Sequence, residues 1–242
     1  MASILRTRVR AIPWALKQGG RFALAWLRRE PAIHAAALEF AREHATAGDP
    51  GSVLAALDRF AVEKRFLMNV GDEKGPLLED AVRKAGPAAR ILELGSFVGY
   101  SAILMARNLG GAGRLVSIDL SETASEVSRE MAELAGVGDR VEFVSGSSTD
   151  VIATLVDPFD LIFLDHWKGL YLQDAEKILE RGLLRPGALM IADNVGPLFG
   201  DNPYVPWMQA REDFETRYVE AHVEYEDIED GVLVSRWKGS EA

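Results

Sequence analysis

The sequence predicts an α/β architecture built on a central, mostly parallel sheet. Five short apolar runs, at 90–94, 114–118, 141–144, 160–164 and 188–192, alternate with stretches of helical periodicity. That alternation is the pattern of parallel strands joined by crossover helices. Two further runs, 219–226 and 231–237, flank Asp230-Gly231 and bring the strands to seven. The composition is that of a globular chain, with 48% apolar and 26% charged residues.

The elements follow in order. Residues 31–45 place Ile33, Ala36, Ala37, Phe40 and Ala41 on one helical face. A turn cluster occupies 46–51. Ser52 then opens a second helix on which Val53, Leu54, Leu57, Phe60 and Ala61 recur, and which ends near Phe66. Asn69-Val70-Gly71-Asp72 reads as a loop, and Gly75-Pro76 opens a third helix running through Ala85. Between the strands, helices are expected at 100–109, at 121–135 with Ser121 as N-cap, at 148–155 and at 171–181. A last helix is expected at 204–217. The division expected is a basic, then helical extension at 1–48 and the α/β domain at 49–242.

Composition excludes several classes of function. A chain of 242 residues buries a full core without covalent staples. The absence of cysteine excludes disulfide scaffolds, thiolate zinc sites, iron–sulfur clusters and thiol catalysis. A net charge of −10 argues against nucleic acid as the partner. The charge is uneven. Residues 1–29 hold seven basic side chains and no acid, which leaves −17 on the rest. Apolar residues including Trp14 and Trp26 interleave with these charges, yet no run is long enough to span a bilayer. Nor is there a signal peptide's apolar core and cleavage site. The segment suits weak contact with an anionic membrane surface. The preferred reading is packing on its own acidic domain or on a second subunit, because Pro13 and Gly19-Gly20 interrupt any long membrane-lying helix. The expectation is a cytoplasmic protein, peripheral to a membrane at most, with a homodimer contact through residues 33–40.

Ligands of open α/β sheets bind at the carboxyl ends of the strands. Four of the five parallel runs end in or beside an acid there. The first turn, Glu93-Leu94-Gly95-Ser96-Phe97-Val98-Gly99, reads E-x-G-x-x-x-G. It lacks the G-x-G-x-x-G of nicotinamide dehydrogenases. Gly95 and Gly99 permit close approach of a ligand to the backbone, and Glu93 can accept from an ammonium. Asp119 lies 24 residues beyond Gly95 at the end of the second strand, where an acid binds ribose hydroxyls. A nucleoside without phosphates fits this turn, as in S-adenosyl-L-methionine (SAM).

Asp165 ends the fourth strand and Asp193-Asn194 the fifth. Two carboxylates and an amide are hard oxygen ligands, suited to Mg²⁺ and not to zinc. Three protein ligands leave positions open for a chelating substrate such as a ring with vicinal hydroxyls. Lys168, three residues after Asp165, is placed to take a phenolic proton. Trp167 is either an adenine-stacking surface or a core residue, and His166 an adenine contact, a supporting group or a packing residue.

Several segments resemble the catechol O-methyltransferase family, in a bacterial-type member. They are Met68-Asn69-Val70-Gly71-Asp72-Glu73-Lys74-Gly75, Glu93-Leu94-Gly95, Gly99-Tyr100-Ser101, Phe163-Leu164-Asp165-His166-Trp167-Lys168 and Ala192-Asp193-Asn194-Val195. The resemblance spans about residues 50 to 235. It implies a Rossmann-like SAM-dependent methyltransferase fold and Mg²⁺-dependent methylation of one catechol hydroxyl. Asp165, Asp193 and Asn194 would bind Mg²⁺, and Lys168 would be the general base. Val70, Glu93, Gly95, Tyr100 and Ser101 would surround the methionine end of SAM. Asp119 would hold its ribose, and Ser148, His166 and Trp167 its adenine. The segment 69–74 would close over the donor. Mammalian members carry a Glu soon after the late Asp-Gly pair; Leu233 stands there in this chain, with Glu229 and Asp230 as the nearby acids. Phe97 replaces a tyrosine and Phe66 a tryptophan. These departures bear on acceptor range, and keep larger ortho-dihydroxy phenylpropanoids or flavonoids as alternative acceptors.

Overall fold

The computed structural model describes residues 11–13, 16, 18 and 32–239; the expectations for segment 1–29 lie largely outside them. Among the described residues there are seven strands: β1 (Arg90–Leu94), β2 (Arg114–Asp119), β3 (Val141–Ser145), β4 (Phe159–Leu164), β5 (Leu184–Ala192), β6 (Phe214–His222) and β7 (Glu229–Trp237). They form one sheet in the order β3-β2-β1-β4-β5-β7-β6. The first five pair in parallel, and β7 runs antiparallel to both β5 and β6. The chain builds outward from β1 to β3, then returns to place β4 against β1. That reversal opens a crevice at the carboxyl ends of β1 and β4.

Within residues 32–239 the α-helices are α1 (Ile33–His44), α2 (Pro50–Glu63), α3 (Gly71–Ala85), α4 (Tyr100–Ala106), α5 (Glu122–Leu134), α6 (Ser148–Thr154), α7 (Tyr171–Glu180) and α8 (Tyr204–Gln209). They cover both faces of the sheet. Ile91, Leu161, Phe163 and Ile191 pack into one core with α1 to α5. Leu92, Leu94, Ile162, Leu164 and Met190 pack into the other with Tyr171, Ile178, Tyr204 and Met208. Strand residues alternate between the two cores. Because both faces are buried, the parallel strands read as nearly unbroken apolar runs.

Several expected boundaries move, among them the strand expected at 219–226, which is Phe214–His222. Helix α2 begins at Pro50, not Ser52, because Asp49 Oδ1 accepts from the backbone of Gly51 and Ser52 at 2.9 and 3.2 Å and is the cap. Helix α3 begins at Gly71, so Pro76 lies inside it and 71–74 is helical, not loop. Asp72 and Glu73 favour that earlier start at the positive end of the helix dipole. The helix expected at 204–217 stops at Gln209, and Phe214–His222 is strand. Phe214, Thr216, Tyr218 and Val219 suit a half-buried strand, and the whole of β6 pairs with β7 from Phe214 to His222. Strand β5 starts at Leu184, ahead of a register shift against β4.

The apolar face of α1 is buried within its own chain: Ala37, Leu38, Phe40 and Ala41 join the same core as α2 and α5. Among the described residues, no helix is long and apolar enough to cross a membrane.

Candidate active site

Six of the residues singled out from the sequence converge on one pocket. Gly95, Asp119, Ser148, Asp165, His166 and Trp167 line a cavity of about 280 Å³, joined by His34 and Phe97 among others. Gly95 has φ +105, and a Cβ there would lie 2.3 Å from the Asp165 carbonyl oxygen. Only glycine lets the ends of β1 and β4 approach so closely.

Asp119 organises the next turn. Its Oδ2 accepts from the backbone of Ser96 at 2.9 Å and Phe97 at 3.1 Å, and its Oδ1 from Ser121 at 2.8 Å. Phe97 is thereby held at φ +49, a conformation that costs a bulky residue free energy and persists at functional turns. A carboxylate offers about four acceptor positions, so Asp119 retains capacity toward the pocket.

The opposite wall is ordered by Asp174, a residue that sequence reasoning missed. Ser148 Oγ and Thr149 Oγ1 donate to its carboxylate, and His166 Nε2 lies 2.8 Å from Oδ2. Burial works against the charge of Asp174, but these hydrogen bonds outweigh it and hold the carboxyl below its usual range. A carboxylate only accepts, so His166 Nε2 carries a proton, and Nδ1 is buried without a partner. Trp167 is 77% exposed, which makes it pocket wall, not core.

Val70, Glu93, Tyr100 and Ser101 are buried but are not among the pocket walls. Tyr100 hydrogen-bonds Asp58, which also accepts from Tyr225 at 2.6 Å. Glu93 is fully inaccessible, with Oε1 unpartnered and the Ser117 hydroxyl donating to Oε2. Burial pushes its carboxyl up to about 8, against the hydroxyls of Ser101 and Ser117 and with the charges of Asp165 and Asp119. It is a buried acid short of a positive partner.

The second constellation adjoins the first at Asp165. Lys168 Nζ donates to Asn194 Oδ1 at 2.8 Å and to Tyr171 Oη at 3.2 Å, and lies 3.5 Å from Asp165 Oδ1. Tyr171 Oη in turn donates to the Asp193 carbonyl at 3.2 Å. Burial pushes the Asp165 carboxyl up to about 7; Lys168 opposes the shift and Asp193 adds to it. Asn194 sits at φ +52, a left-handed conformation that Asn tolerates. Its Nδ2 donates to Asp230 Oδ2 at 3.0 Å, which turns Oδ1 toward Lys168.

Asp193 Oδ1 accepts from the Asn194 backbone and from Lys74 Nζ, both at 2.7 Å, while its Oδ2 is buried without a partner. Lys74 also pairs with Glu224 at 2.6 Å and Asp230 at 2.8 Å. Against the cost of burial, Asp193, Glu224 and Asp230 keep its ammonium charged and its pKa raised. Lys74, Glu224 and Asp230 carried no sequence signal of this role. Asp230 Oδ1 accepts from the Gly196 backbone at 3.1 Å. Leu233 is wholly buried in the second core.

Phe199 lies beside the lysine, its ring centroid 5.5 Å from Lys168 Nζ. It belongs to an apolar cluster with Phe66, Leu198, Val223, Ile228 and Ala11.

Comparison with known proteins places this arrangement. A family model described as O-methyltransferase matches residues 43–201. The chain is 38% identical over 208 residues to catechol O-methyltransferase of Bos taurus, covering 84% of this chain and 75% of the relative. It is 41% identical over 217 residues to the Mycobacterium tuberculosis protein named Probable O-methyltransferase Rv1703c, covering 85% and 92%. Among solved structures, O-methyltransferase TomG from Streptomyces achromogenes, in complex with SAM, is 29% identical with a TM-score of 0.67 over 77% of this chain and 89% of that one. The Bacillus cereus O-methyltransferase in complex with SAH is 25% identical, with a TM-score of 0.62 over 86% and 93%. The seven-stranded sheet is the Rossmann-like fold of SAM-dependent methyltransferases, and the chain belongs to the O-methyltransferase family.

Proposed function

We propose that this protein transfers the methyl group of SAM to one hydroxyl of a catechol, with Mg²⁺ as the required cation. The observation that carries the reading is the double placement of Asp165. Its residue lines the 280 Å³ pocket, and its carboxylate lies 3.5 Å from the ammonium of Lys168. Donor pocket and base therefore meet at one residue.

The residues fit both groups. Asp165, Asp193 and Asn194 are the hard oxygen donors that would hold Mg²⁺, and the unpartnered, buried Asp193 Oδ2 is a ligand atom without other employment. In the pocket, Asp119 would accept from the ribose hydroxyls and Trp167 would offer a face to the adenine. His166 Nδ1 would accept from the adenine amine. Val70, Tyr100 and Ser101 would order the methionine end, and the ammonium there would supply the positive charge that Glu93 lacks. When bound, SAM supplies an electrophilic methyl on a sulfonium, and the cation supplies Lewis-acid chelation of two vicinal oxygens.

Lys168 Nζ, as the neutral amine, takes the proton of the reacting hydroxyl and becomes the ammonium, which Tyr171 and Asn194 fix from two sides. An acceptor oxygenate near −1 meets a sulfonium near +1, so the reaction consumes charge. Stabilising new charge therefore gains little, and the chain acts mainly by holding two reactants in line in a dry site. Such orientation supplies roughly 7–11 kcal/mol. Phe66, Leu198 and Phe199 would exclude water on the acceptor side.

An acceptor panel tests the reading. Turnover of a simple catechol above that of caffeoyl- or flavonoid-type ortho-diols supports it. Turnover confined to the larger diols would move the assignment to their methylation.

A further inference from the structure

Asp193, one of the proposed Mg²⁺ ligands, also belongs to a cluster of three buried carboxylates with a lysine at its centre. Asp193, Glu224 and Asp230 each bring a carboxylate oxygen within 4.8 Å of the other two. All three are at most 3% exposed. At their centre stands the Lys74 ammonium, 2.7, 2.6 and 2.8 Å from the three carboxylates. Even so, Asp193 Oδ2 and Glu224 Oε2 remain buried without partners. Three buried carboxylates with oxygens to spare are the donor set of a divalent ion, held here by one monovalent group.

The charge balance is telling. Asp165, Asp193, Glu224 and Asp230 face two ammonium groups, Lys74 and Lys168. The formal excess is two negative charges, which one divalent ion neutralises. A second ion added beside both lysines would leave a buried net positive charge, and uncompensated buried charge is costly.

Helix α3 delivers the lysine. Lys74 lies one turn after Gly71, whose φ is +62 and whose missing Cβ leaves room for Glu224 Cγ at 3.0 Å. The turn carrying Glu224 thus packs directly on the start of α3.

We propose that Lys74 is a built-in cation, which occupies the Asp193–Glu224–Asp230 triad in place of a second divalent ion. It thereby confines the bound ion to Asp165, Asp193 and Asn194. The confinement rests on the cation-dependent reading above; the blocking of the triad does not. Lys74 is a positioning residue in this scheme: it fixes Asp193 through Oδ1 and leaves Oδ2 to the ion.

The test counts Mn²⁺ bound to the full chain by electron paramagnetic resonance. Wild type is expected to bind one ion, Lys74→Met two, and Lys74→Met with Asp230→Asn one again. A folded Lys74→Met protein that gains no ion overturns the proposal. Glu224→Gln in the otherwise native chain decides the matter even if Lys74→Met does not fold. Retention of one ion within about threefold of native affinity supports the blocked triad, and loss of the ion puts it in the triad and overturns the proposal. Asp165→Asn reports separately on the underlying reading: the native ion should be lost. Should wild type bind no ion, that reading fails, while a single ion gained by Lys74→Met still supports a triad blocked by lysine.

Discussion

Lys168 and Asn194 are joined by a 2.8 Å hydrogen bond from Nζ to Oδ1, which places the candidate base on the candidate cation ligand. The oxygen that would coordinate the ion is the oxygen that now holds the amine. Base and cation site are therefore built as one unit, so changes to either are expected to act on kcat more than on donor binding.

Lys168→Ala is expected to lower kcat by about 10²–10⁴, the usual contribution of a positioned base. The Kd for SAM should stay within a few-fold of native, because Lys168 is not among the pocket walls. Single-turnover kinetics and calorimetry measure the two quantities. An unchanged kcat would remove Lys168 from the mechanism.

Asp193→Asn is expected to abolish cation-dependent turnover, since it exchanges the free anionic oxygen for a neutral amide group. Lys74 keeps Glu224 and Asp230 as partners, so the fold should survive. Undiminished activity of this variant in excess chelator would dismiss the cation site.

Much of this site was legible before the fold was known. The run Asp165-His166-Trp167-Lys168 is contiguous, and Asp193-Asn194 closes a strand whose two buried faces make it an unbroken apolar run. Lys74, Glu224 and Asp174 were not legible. Charged residues on a helix or turn look like a solvated surface, and Lys74 meets Asp193 across 119 positions of sequence, so their burial is a purely tertiary fact. Strand β6 was misread for a related reason. Its exposed positions, with Glu215, Arg217 and Glu220, dilute the two-residue period on a half-solvated strand.

The buried Glu93 predicts a pH dependence of stability. The folded chain keeps its proton up to about 8, whereas the unfolded chain releases it near 4.5. Between those values the folded state binds more protons. The stabilisation is therefore complete below 4.5 and is lost as the pH rises toward 8. Glu93→Gln, neutral throughout, should show a shallower decline in urea-derived stability from pH 5 to 8. Parallel profiles for the two proteins would show that Glu93 does not titrate as described.

Gly95→Ala is expected to cost roughly 2–5 kcal/mol, through a positive φ imposed on alanine and a Cβ forced onto backbone. The clash, at 2.3 Å, is with the Asp165 carbonyl, which has no flexible side chain to yield. Donor affinity should fall with stability, because the same turn forms the pocket. Urea unfolding and SAM titration measure both. A variant of native stability would mean that β1 and β4 do not approach as closely as the structure places them.

The most direct test of the central claim is a methylation assay with SAM and a simple catechol. It is run with Mg²⁺, then with excess chelator, then with Mg²⁺ restored. The account predicts an O-methylated product whose formation stops with chelator and resumes with Mg²⁺. Turnover that continues in chelator, or none under any condition while SAM still binds, would contradict it.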